Sequence, residues 1–589
     1  MYYDPFVLPF TLGLNILLIY LIIKYARWIR TFSTEDRQTI RRNIFTLKTW
    51  KAGKEVFLES LVHHKIFRIN PFLGYMHLCF GLGWFLLIVI GKIESLVYHT
   101  SIFNPPYFAI FFRYFHPAKE TFPGSNVFAF FMDLILLMIL SGLLLAWLKR
   151  LYSKALGLKR TTRHRPFDLL ILTVLWLIFP LRFLAESFTS GLRGGGSFLT
   201  HTAGDFFNSF LPIEQLSYPA WWAYSSALGL FFLLLPFSRY MHIPTEIVYI
   251  FLKNWEVRQG KHFSGISQFQ LYSCSRCGIC IDRCQLGSSL GMTDTQPVYF
   301  LKKLRHGKEH SILVDNCLMC GRCEAACPVD LRLNALRLTQ RQEDIRITKS
   351  TYEYIRPAAA KTTAKVAYFA GCMGHLTPGV IRSMQSIFHK AGVDYTFIDE
   401  GGSICCGRPM MLSGNHHTAA IIQEKNKASL EASGAELLVT SCPICYKTFK
   451  EDYRLDMQVL HHTEYLDILL REGALHPHCS DITTVFHNPC ELGRGCQVYT
   501  APEHILQTIS HRIATAYEGK DALCCGGSLA NLHISPQQRL QLAEDALNAY
   551  AAYRPDVLVT ACPLCKKTFS QPGSSLPVQD IAELVDGQC

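Results

Sequence analysis

The stretch VTSCPICYKTF, residues 439–449, returns as VTACPLCKKTF at residues 559–569, and this near-repetition decides how the second half of the chain is organised. Working outward, each copy holds a lone cysteine, then a Cys-Cys-Gly triplet, then Cys-Pro-x-Cys. The cysteines of the first copy are Cys372, Cys405, Cys406, Cys442 and Cys445, and those of the second are Cys490, Cys524, Cys525, Cys562 and Cys565. Matching cysteines are 118 to 120 residues apart, which indicates a duplicated domain.

The sequence around the repeat predicts α/β domains. Short apolar runs at residues 365–371, 394–399, 435–441, 483–488 and 555–561 are typical of buried strands, and residues 417–433 and 536–552 have the periodicity of amphipathic helices. Several of the cysteines come just after a predicted strand. Open α/β sheets bind their ligands beyond the carboxyl ends of the strands, so we expect the cysteines of each copy to lie there.

Two further cysteine runs precede the repeat, and both have the spacing C-x2-C-x2-C-x3-C. This doubled spacing is typical of two cubane [4Fe–4S] clusters, in which the fourth cysteine of each run ligates the other cluster. One predicted cluster takes Cys274, Cys277, Cys280 and Cys327, and the other takes Cys317, Cys320, Cys323 and Cys284. Two zinc sites are the alternative, but the runs lack the pair-plus-pair spacing of zinc ribbons. Gln285 follows the first run, whereas Pro328 follows the second.

The first 250 residues have a different composition, because apolar runs are concentrated there and Cys79 is the only one of the 22 cysteines before Cys274. Five runs are long enough to cross a bilayer, which predicts an all-α five-helix transmembrane bundle. They lie at residues 6–23, 71–97, 126–148, 167–187 and 220–240. The formal net charge of +12 comes largely from the loops between these runs, which favours a membrane protein and gives no indication of nucleic-acid binding.

Lysine and arginine set the predicted orientation. The loop after the first run, residues 24–68, holds 11 of them, and the loop after the third, residues 149–166, holds 7. The other two loops hold few. We therefore expect a multi-pass protein of the inner (cytoplasmic) membrane, with the N-terminus outside and the iron–sulfur domains in the cytoplasm.

Two histidines lie at a similar predicted depth. His77 is near the cytoplasmic start of the second run, and His242 is at the cytoplasmic end of the fifth. Two imidazoles that face each other inside a bundle suit the axial positions of a b-type haem. The alternative is two interfacial histidines bonded to water or headgroups. His63 and His64, in the first basic loop, are expected at the surface.

The stretch PFSRYMH, residues 236–242, resembles the last helix of the cytochrome b subunit of respiratory nitrate reductase and of the cytochrome b partner of membrane-bound heterodisulfide reductase. The nitrate reductase type carries two haems. The second pair of ligands would fall on Leu87 and Tyr224, which cannot serve, so the resemblance implies one haem on the cytoplasmic side. Arg182 and Glu186, in the fourth run, either contribute to a quinone site or simply pair with each other.

The paired Cys-Cys-Gly and Cys-Pro-x-Cys motifs, with the ferredoxin runs before them, resemble the catalytic subunit of heterodisulfide reductase from about Leu271 onward. This resemblance implies cysteine-rich CCG domains and a noncubane [4Fe–4S] cluster on each set of five cysteines, and it makes both sets candidates for catalysis. One noncubane cluster, with a conventional cluster or zinc in the other copy, is the alternative.

The fusion of a cytochrome b to CCG domains also resembles electron-transfer-flavoprotein:menaquinone oxidoreductases. It implies an enzyme that links a cytoplasmic partner, a flavoprotein or a dehydrogenase, to menaquinone. The alternatives are a quinol-dependent disulfide reductase and the quinone-linked iron–sulfur subunit of a hydroxyacid or glycerol-3-phosphate dehydrogenase. A non-catalytic redox sensor or anchoring subunit would need an output domain, for which no segment remains.

We expect four domains in this order. Residues 1–255 form the cytochrome b-like bundle, 262–350 the α-helical ferredoxin-type module, and 362–475 and 480–589 the two α/β CCG domains. The sequence has neither a Rossmann glycine motif nor a P-loop, so a flavin or NAD is expected on a partner protein.

Overall fold

The computed structural model describes residues 3–99, 103–116, 122–152, 165–260, 262–307, 311–341, 364–402, 404–531, 533–571, 573 and 576–589. The chain forms two compact units, Met1–Gly278 and Ile279–Cys589. Most of the second basic loop, residues 153–164, lies outside the described residues.

Among the described residues, five helices are long and apolar enough to cross a membrane. With their flanking turns they cover Pro5–Arg30, Pro71–His99, Ser125–Leu151, Pro166–Arg193 and Ile213–Phe237. Each is longer than the roughly 20 residues that the hydrocarbon core requires. Large apolar side chains such as Ile19 and Leu144 are exposed on these helices, as the lipid-facing side of a bundle requires. The five predicted spans are therefore confirmed as helices.

The first unit is entirely helical in its described part. Its α-helices are α1 (Leu8–Arg30), α2 (Thr34–Asn43), α3 (Leu47–Glu55), α4 (His64–Ile69), α5 (Pro71–His99), α6 (Pro106–Ile110), α7 (Phe112–Phe115), α8 (Ser125–Leu151), α9 (Pro166–Arg193), α10 (Thr200–Asn208), α11 (Ile213–Leu234), α12 (His242–Asn254) and α13 (Gly265–Ser273).

The end of the fifth span differs from the prediction. The helix α11 stops at Leu234, two short 3₁₀ turns follow, and His242 begins the separate helix α12. Pro236 explains the break, because proline lacks an N–H and its ring clashes with the preceding turn of a helix. His242 therefore does not end the fifth span but starts the next helix.

The second unit begins with short helices around the ferredoxin cysteines and continues into two sheets. Its helices before the sheets are α14 (Ile279–Asp282), α15 (Gln285–Ser288), α16 (Pro297–Arg305), α17 (Ser311–Asp315), α18 (Arg322–Ala325) and α19 (Leu333–Leu338).

Each CCG copy contains a four-stranded parallel sheet, with the orders β2-β1-β3-β4 and β6-β5-β7-β8. The strands are β1 (Val366–Phe369), β2 (Tyr395–Phe397), β3 (Leu437–Thr440), β4 (Gln458–His461), β5 (Thr483–His487), β6 (His511–Arg512), β7 (Val557–Thr560) and β8 (Val578–Asp580). The helices among them are α20 (Cys372–His375), α21 (Pro378–Lys390), α22 (Arg408–Ser413), α23 (His416–Ala432), α24 (Pro443–Glu451), α25 (His462–Arg471), α26 (Thr500–Ile509), α27 (Pro536–Ala551), α28 (Pro563–Phe569) and α29 (Ile581–Gln588). The identical strand orders confirm the duplication.

The two CCG copies share one hydrophobic core. Tyr368 and Phe388 of the first copy belong to the same buried cluster as Phe486, Val559 and Val585 of the second. A continuous apolar core of this kind favours a fixed arrangement of the two sheets, because separating them would expose its surface to water.

Candidate metal centres

The cysteines of each copy lie beyond the carboxyl ends of the two central strands of its sheet. Cys372 follows β1, and Cys442 follows β3 and is the N-cap residue of α24. Cys490 follows β5, and Cys562 follows β7 and is the N-cap residue of α28. The predicted placement of these four cysteines at the carboxyl edge is confirmed.

The five thiols of each copy are joined in one run of side-chain hydrogen bonds, and the order is the same in both. In the first copy the run is Cys372–Cys405–Cys406–Cys445–Cys442. In the second copy it is Cys490–Cys524–Cys525–Cys565–Cys562. The structure therefore brings together all ten of the predicted CCG cysteines, five at each site.

A left-handed glycine follows each Cys-Cys pair. Gly407 and Gly526 both have φ of +82°, a conformation that glycine adopts without steric cost. A Cβ atom at Gly526 would lie 2.9 Å from the Arg539 carbonyl oxygen and from Leu542 Cβ. The glycine is thus needed both for the turn and for close packing behind the adjacent thiols.

The two sites differ in exposure. In the first copy Cys372 and Cys405 are half-buried, whereas in the second copy only Cys490 among its five cysteines is not fully buried. A half-buried histidine, His375, lies one turn after Cys372, and its Nε2 is 3.4 Å from Asp399 Oδ2. The nearby Asp399 carboxylate raises the pKa of His375. The first site therefore combines more accessible thiols with a nearby group that can carry a proton.

The ferredoxin module packs on the second CCG site. The Cys320 and Cys524 thiols are hydrogen-bonded, and this bond lowers the pKa of Cys320 to about 5. Cys524 belongs to the same buried apolar cluster as Leu286 and Leu318 of the module. The structure thus joins one predicted cubane site to the second CCG site through their cysteines.

Gln285 adds a specific contact to this interface. Its Oε1 accepts the Cys524 backbone N–H at 2.6 Å, and its Nε2 donates to the Cys524 carbonyl at 3.2 Å. A proline at this position, as at Pro328 of the other run, could make neither bond. Gln285, which stands where the second run has a proline, therefore has a structural role that was not predicted from the sequence.

Arg494 occupies the same interface. It lies in the π-helical turn Glu491–Gly495 and donates to the carbonyls of Cys320 and Ala522, each at 2.7 Å. The matching position in the first copy is Leu376, which is 54% exposed. The sequence difference between the two copies at this position could have identified Arg494 as a contact residue. In the described part of the chain, only the second copy faces the ferredoxin module at this position.

His487 is a second difference between the copies. It occupies the position of Phe369, and burial lowers its pKa to about 4. Its Nδ1 lies 3.2 Å from the Tyr550 hydroxyl, while its buried Nε2 has no partner among the described residues. The second site thus contains an imidazole where the first has a phenyl ring.

The first ferredoxin run begins in the membrane-associated unit. The helix α13 ends directly before Cys274, and its Phe269 and Tyr272 pack on Trp28 of α1 with ring centroids 5.0 and 4.9 Å away. The Lys24 ammonium lies 4.2 Å from the Tyr272 ring centroid. Cys274 thus directly follows a helix that packs on α1, and Cys274 and Cys277 belong to the first unit whereas Cys280 and Cys327 belong to the second.

The predicted haem histidines have the same backbone support. His77 Nδ1 lies 2.8 Å from the Leu73 carbonyl, and His242 Nδ1 lies 2.8 Å from the Arg239 carbonyl. When Nδ1 donates to a carbonyl, Nε2 is the atom presented for ligation. Each histidine therefore presents Nε2 as the nitrogen that could bind a haem iron.

His63 is not at the surface, so that expectation was wrong. Its ring centroid lies 5.3 Å from that of His77, and its backbone is left-handed with φ of +58°. A Cβ atom at Gly81 would meet the His63 ring at 2.8 Å, so a glycine permits this approach. The π-helical turn Val56–Leu61 ends two residues before His63. His64 is exposed, as expected.

The two positions that would carry a second pair of haem ligands are both buried. Leu87 is buried, and Tyr224 is buried and hydrogen-bonded to Arg182. Arg182 also pairs with Glu186 at 2.9 Å. This buried network has the geometry of the i,i+4 pairing that was the alternative to a quinone site.

Each CCG site has the ligand type of an iron–sulfur cluster, because five cysteine thiols are grouped at each of two sheet edges. No group of His, Cys, Asp or Glu side chains in the described part of the chain converges as the ligands of a single metal ion would. A structural zinc ion takes four ligands, whereas a cluster can bind cysteines through several irons, so a group of five thiols fits a cluster better.

Comparison with known protein families matches the same regions. Residues 366–450 and 484–570 match the cysteine-rich domain CCG, and residues 270–331 match the 4Fe-4S dicluster domain. The second half of the chain therefore contains two CCG domains and a 4Fe-4S dicluster domain, and its relatives are iron–sulfur oxidoreductases that include an EtfAB:quinone oxidoreductase.

The relatives divide by how much of the chain they cover. One subunit of the dihydromethanophenazine:CoB–CoM heterodisulfide reductase of Methanosarcina acetivorans is 24% identical over 55% of this chain and 95% of its own length. The probable iron–sulfur-binding oxidoreductase FadF of Bacillus subtilis is 25% identical over 51% of this chain and 43% of its own. The EtfAB:quinone oxidoreductase of Syntrophomonas wolfei is 20% identical over 90% of this chain and 89% of its own.

Proposed function

We propose that this protein passes electrons from a cytoplasmic electron transfer flavoprotein to menaquinone in the membrane. The observation that carries the proposal is the similarity to EtfAB:quinone oxidoreductase over 90% of this chain, which must include most of the membrane-associated half. Similarity to the heterodisulfide reductase of Methanosarcina acetivorans extends over only 55%. The proposal keeps the four-domain division 1–255, 262–350, 362–475 and 480–589.

The proposed cofactors are two cubane clusters, two noncubane clusters and one haem b. The cubanes take the two ferredoxin sets of cysteines, each noncubane cluster takes one CCG set, and His77 and His242 ligate the haem. These groups supply one-electron chemistry when bound. The chain itself holds them in sequence, and the hydrogen bond between Cys320 and Cys524 supports a direct step between a cubane site and the second CCG site.

The proposed topology has the N-terminus outside and the second unit in the cytoplasm. Its support is the concentration of lysine and arginine in residues 24–68 and 149–166. In this topology His77 and His242 lie on the cytoplasmic side, which is the side from which a soluble flavoprotein delivers electrons.

A quinol-dependent disulfide reductase is the second candidate. It is favoured by the first CCG site, where Cys372 and Cys405 are half-buried and His375 lies nearby. Reduction of a disulfide consumes two electrons and two protons and releases two thiols. The clusters would supply the electrons, and His375 is placed to deliver a proton to a departing thiolate.

Anaerobic reduction of the purified full-length protein separates the two candidates. The proposal expects that reduced electron transfer flavoprotein bleaches the iron–sulfur absorbance and produces a reduced b-type haem band, while a dithiol does neither. Reduction by the dithiol alone would reject the flavoprotein function and favour the disulfide function. A variant His375→Gln should slow only disulfide turnover, with flavoprotein-driven reduction unchanged as its control.

A further inference from the structure

Asp168 is a buried carboxylate in the first turn of α9, and it is 5% exposed. The N-cap residue of this helix is Arg165, and no side-chain capping bond forms there. Instead both carboxylate oxygens of Asp168 bind other parts of the chain. A buried charge is strongly destabilising unless it is paired and hydrogen-bonded, so these partners account for its presence.

The first partner is Arg276, which lies between the predicted ligands Cys274 and Cys277. Its Nη1 donates to Asp168 Oδ2 at 2.8 Å. Arg276 has a left-handed backbone with φ of +57°, and Met319 occupies the equivalent position of the second run with φ of +50°. The same loop conformation thus forms with an apolar residue, so the arginine is not required to build the loop.

The second partner is the backbone N–H of Arg239, which donates to Asp168 Oδ1 at 3.1 Å. The carbonyl of the same residue lies 2.8 Å from His242 Nδ1. One carboxylate therefore connects the loop of the first ferredoxin run to the turn that orients His242. All four residues belong to the first unit.

We propose that Asp168 is a positioning residue for electron transfer between the first cubane and the haem, a role that rests on the proposed function. It holds the Cys274–Cys277 loop at a fixed separation from His242. When both cofactors are bound, an electron would cross this separation without a bond being formed or broken, so the cluster would be oxidised by one electron and the haem reduced by one. Asp168 itself neither binds a cofactor nor exchanges a proton in this role.

The opposite charges of Asp168 and Arg276 predict the direction in which each substitution shifts the haem potential. A carboxylate near a haem stabilises the ferric form, and a guanidinium stabilises the ferrous form. Replacing Asp168 with asparagine should raise the haem midpoint potential, and replacing Arg276 with methionine should lower it. A merely structural role would not predict opposite shifts from the two partners of one ion pair.

The experiment compares Asp168→Asn, Asp168→Glu and Arg276→Met with the wild type, all as full-length protein in nanodiscs. Optical redox titration gives the haem potential, and stopped-flow absorbance after mixing with reduced methyl viologen follows cluster bleaching and the haem band. Asp133→Asn is the matched control. Asp133 is also buried and accepts the backbone N–H of Leu199 and Thr200, both at 2.9 Å, and in the described part of the chain its hydrogen-bond partners all lie in residues 197–200.

We expect Asp168→Asn to keep its haem, to raise the potential and to slow electron arrival at the haem by about tenfold, as a displaced reacting group does. Asp168→Glu should recover part of the rate, and Asp133→Asn should match the wild type. If Asp168→Asn does not fold, Arg276→Met decides the question, because it leaves the bond to Arg239 in place.

Unchanged potential and rate in Asp168→Asn, or in Arg276→Met where only that variant folds, would overturn this proposal. A shift of both variants in the same direction would overturn it as well. Absence of a b-type haem band in the wild type would reject the proposed function instead, so the two failures are distinguishable.

Discussion

The thiol of Cys320, in the ferredoxin module, is hydrogen-bonded to the thiol of Cys524, in the second CCG site. This contact gives the two CCG copies different surroundings. The second copy adjoins the ferredoxin module, and it has fewer accessible thiols than the first. We therefore expect the second site to relay electrons and the first to face a substrate or partner.

Cysteine variants test whether the second site relays electrons while the first faces a substrate or partner. Cys524→Ser and Cys405→Ser should each lower the iron content by up to about four atoms from about 16, the total for four clusters of four irons. Only Cys524→Ser should leave the cluster of the other copy reducible by the partner, because that cluster faces the partner, while the ferredoxin clusters beyond Cys524 stay oxidised. Iron analysis and EPR of the dithionite-free, partner-reduced protein measure both effects. Equal behaviour of the two variants would contradict the relay.

Gln285→Ala should loosen the contact between the ferredoxin module and the second site. The substitution removes two hydrogen bonds to the Cys524 backbone, and a net loss of about 1 kcal/mol corresponds to several-fold faster exchange of that amide. Hydrogen-exchange mass spectrometry of peptides covering Cys524 measures the change. Gln541→Ala, which removes an exposed bond to the Ser289 carbonyl at the same interface, is the control and should leave that amide unaffected. Unchanged protection in Gln285→Ala would show that the bond to Gln285 does not hold this segment.

Arg494→Met should make the neighbouring clusters harder to reduce. The guanidinium lies among Cys320, Cys490 and Cys524, and removing a positive charge from their surroundings disfavours the added electron. EPR-monitored redox titration should therefore show lower midpoint potentials for the signals of these sites. Arg471→Met removes a 59% exposed arginine and should shift nothing. Higher potentials in Arg494→Met would contradict the electrostatic assignment.

Three histidine variants determine the axial ligands. His77→Ala and His242→Ala should each abolish the reduced b-type band, because each removes an axial nitrogen. His63→Ala should keep the band but shift its position or potential, because His63 packs on His77 without ligating the iron. The optical spectrum of each purified variant is the measurement. Survival of the haem in His242→Ala together with its loss in His63→Ala would make His63 the second ligand.

Much of this architecture could be predicted from local patterns. The cysteine spacings revealed the CCG repeat and the ferredoxin runs because such ligand sets have fixed sequence separations, and the five spans followed from their length and apolarity. The strands β4, β6 and β8 were missed. β4 and β8 lie at the edges of their sheets and β6 has two residues, so they lack a clear apolar pattern.

Contacts between distant segments could not be predicted in the same way. Asp168 meets Arg276 across 108 residues, and Gln285 meets Cys524 across 239. Neither Asp168 nor Gln285 lies in a local sequence pattern that would identify its partner. The one usable signal was comparison of the internal repeats, which sets Arg276 against Met319 and Arg494 against Leu376. Such departures mark positions where one copy has a neighbour that the other lacks.

The most direct test of the proposed electron path is menaquinone reduction in vesicles that contain the full-length protein. Reduced electron transfer flavoprotein is added outside vesicles that expose the second unit, and quinol formation is followed together with the haem band. We expect quinol and the reduced haem band to appear in the wild type. We expect His77→Ala to stop quinol formation while the clusters are still reduced. Reduced clusters without quinol in the wild type, or undiminished quinol in His77→Ala, would contradict the path.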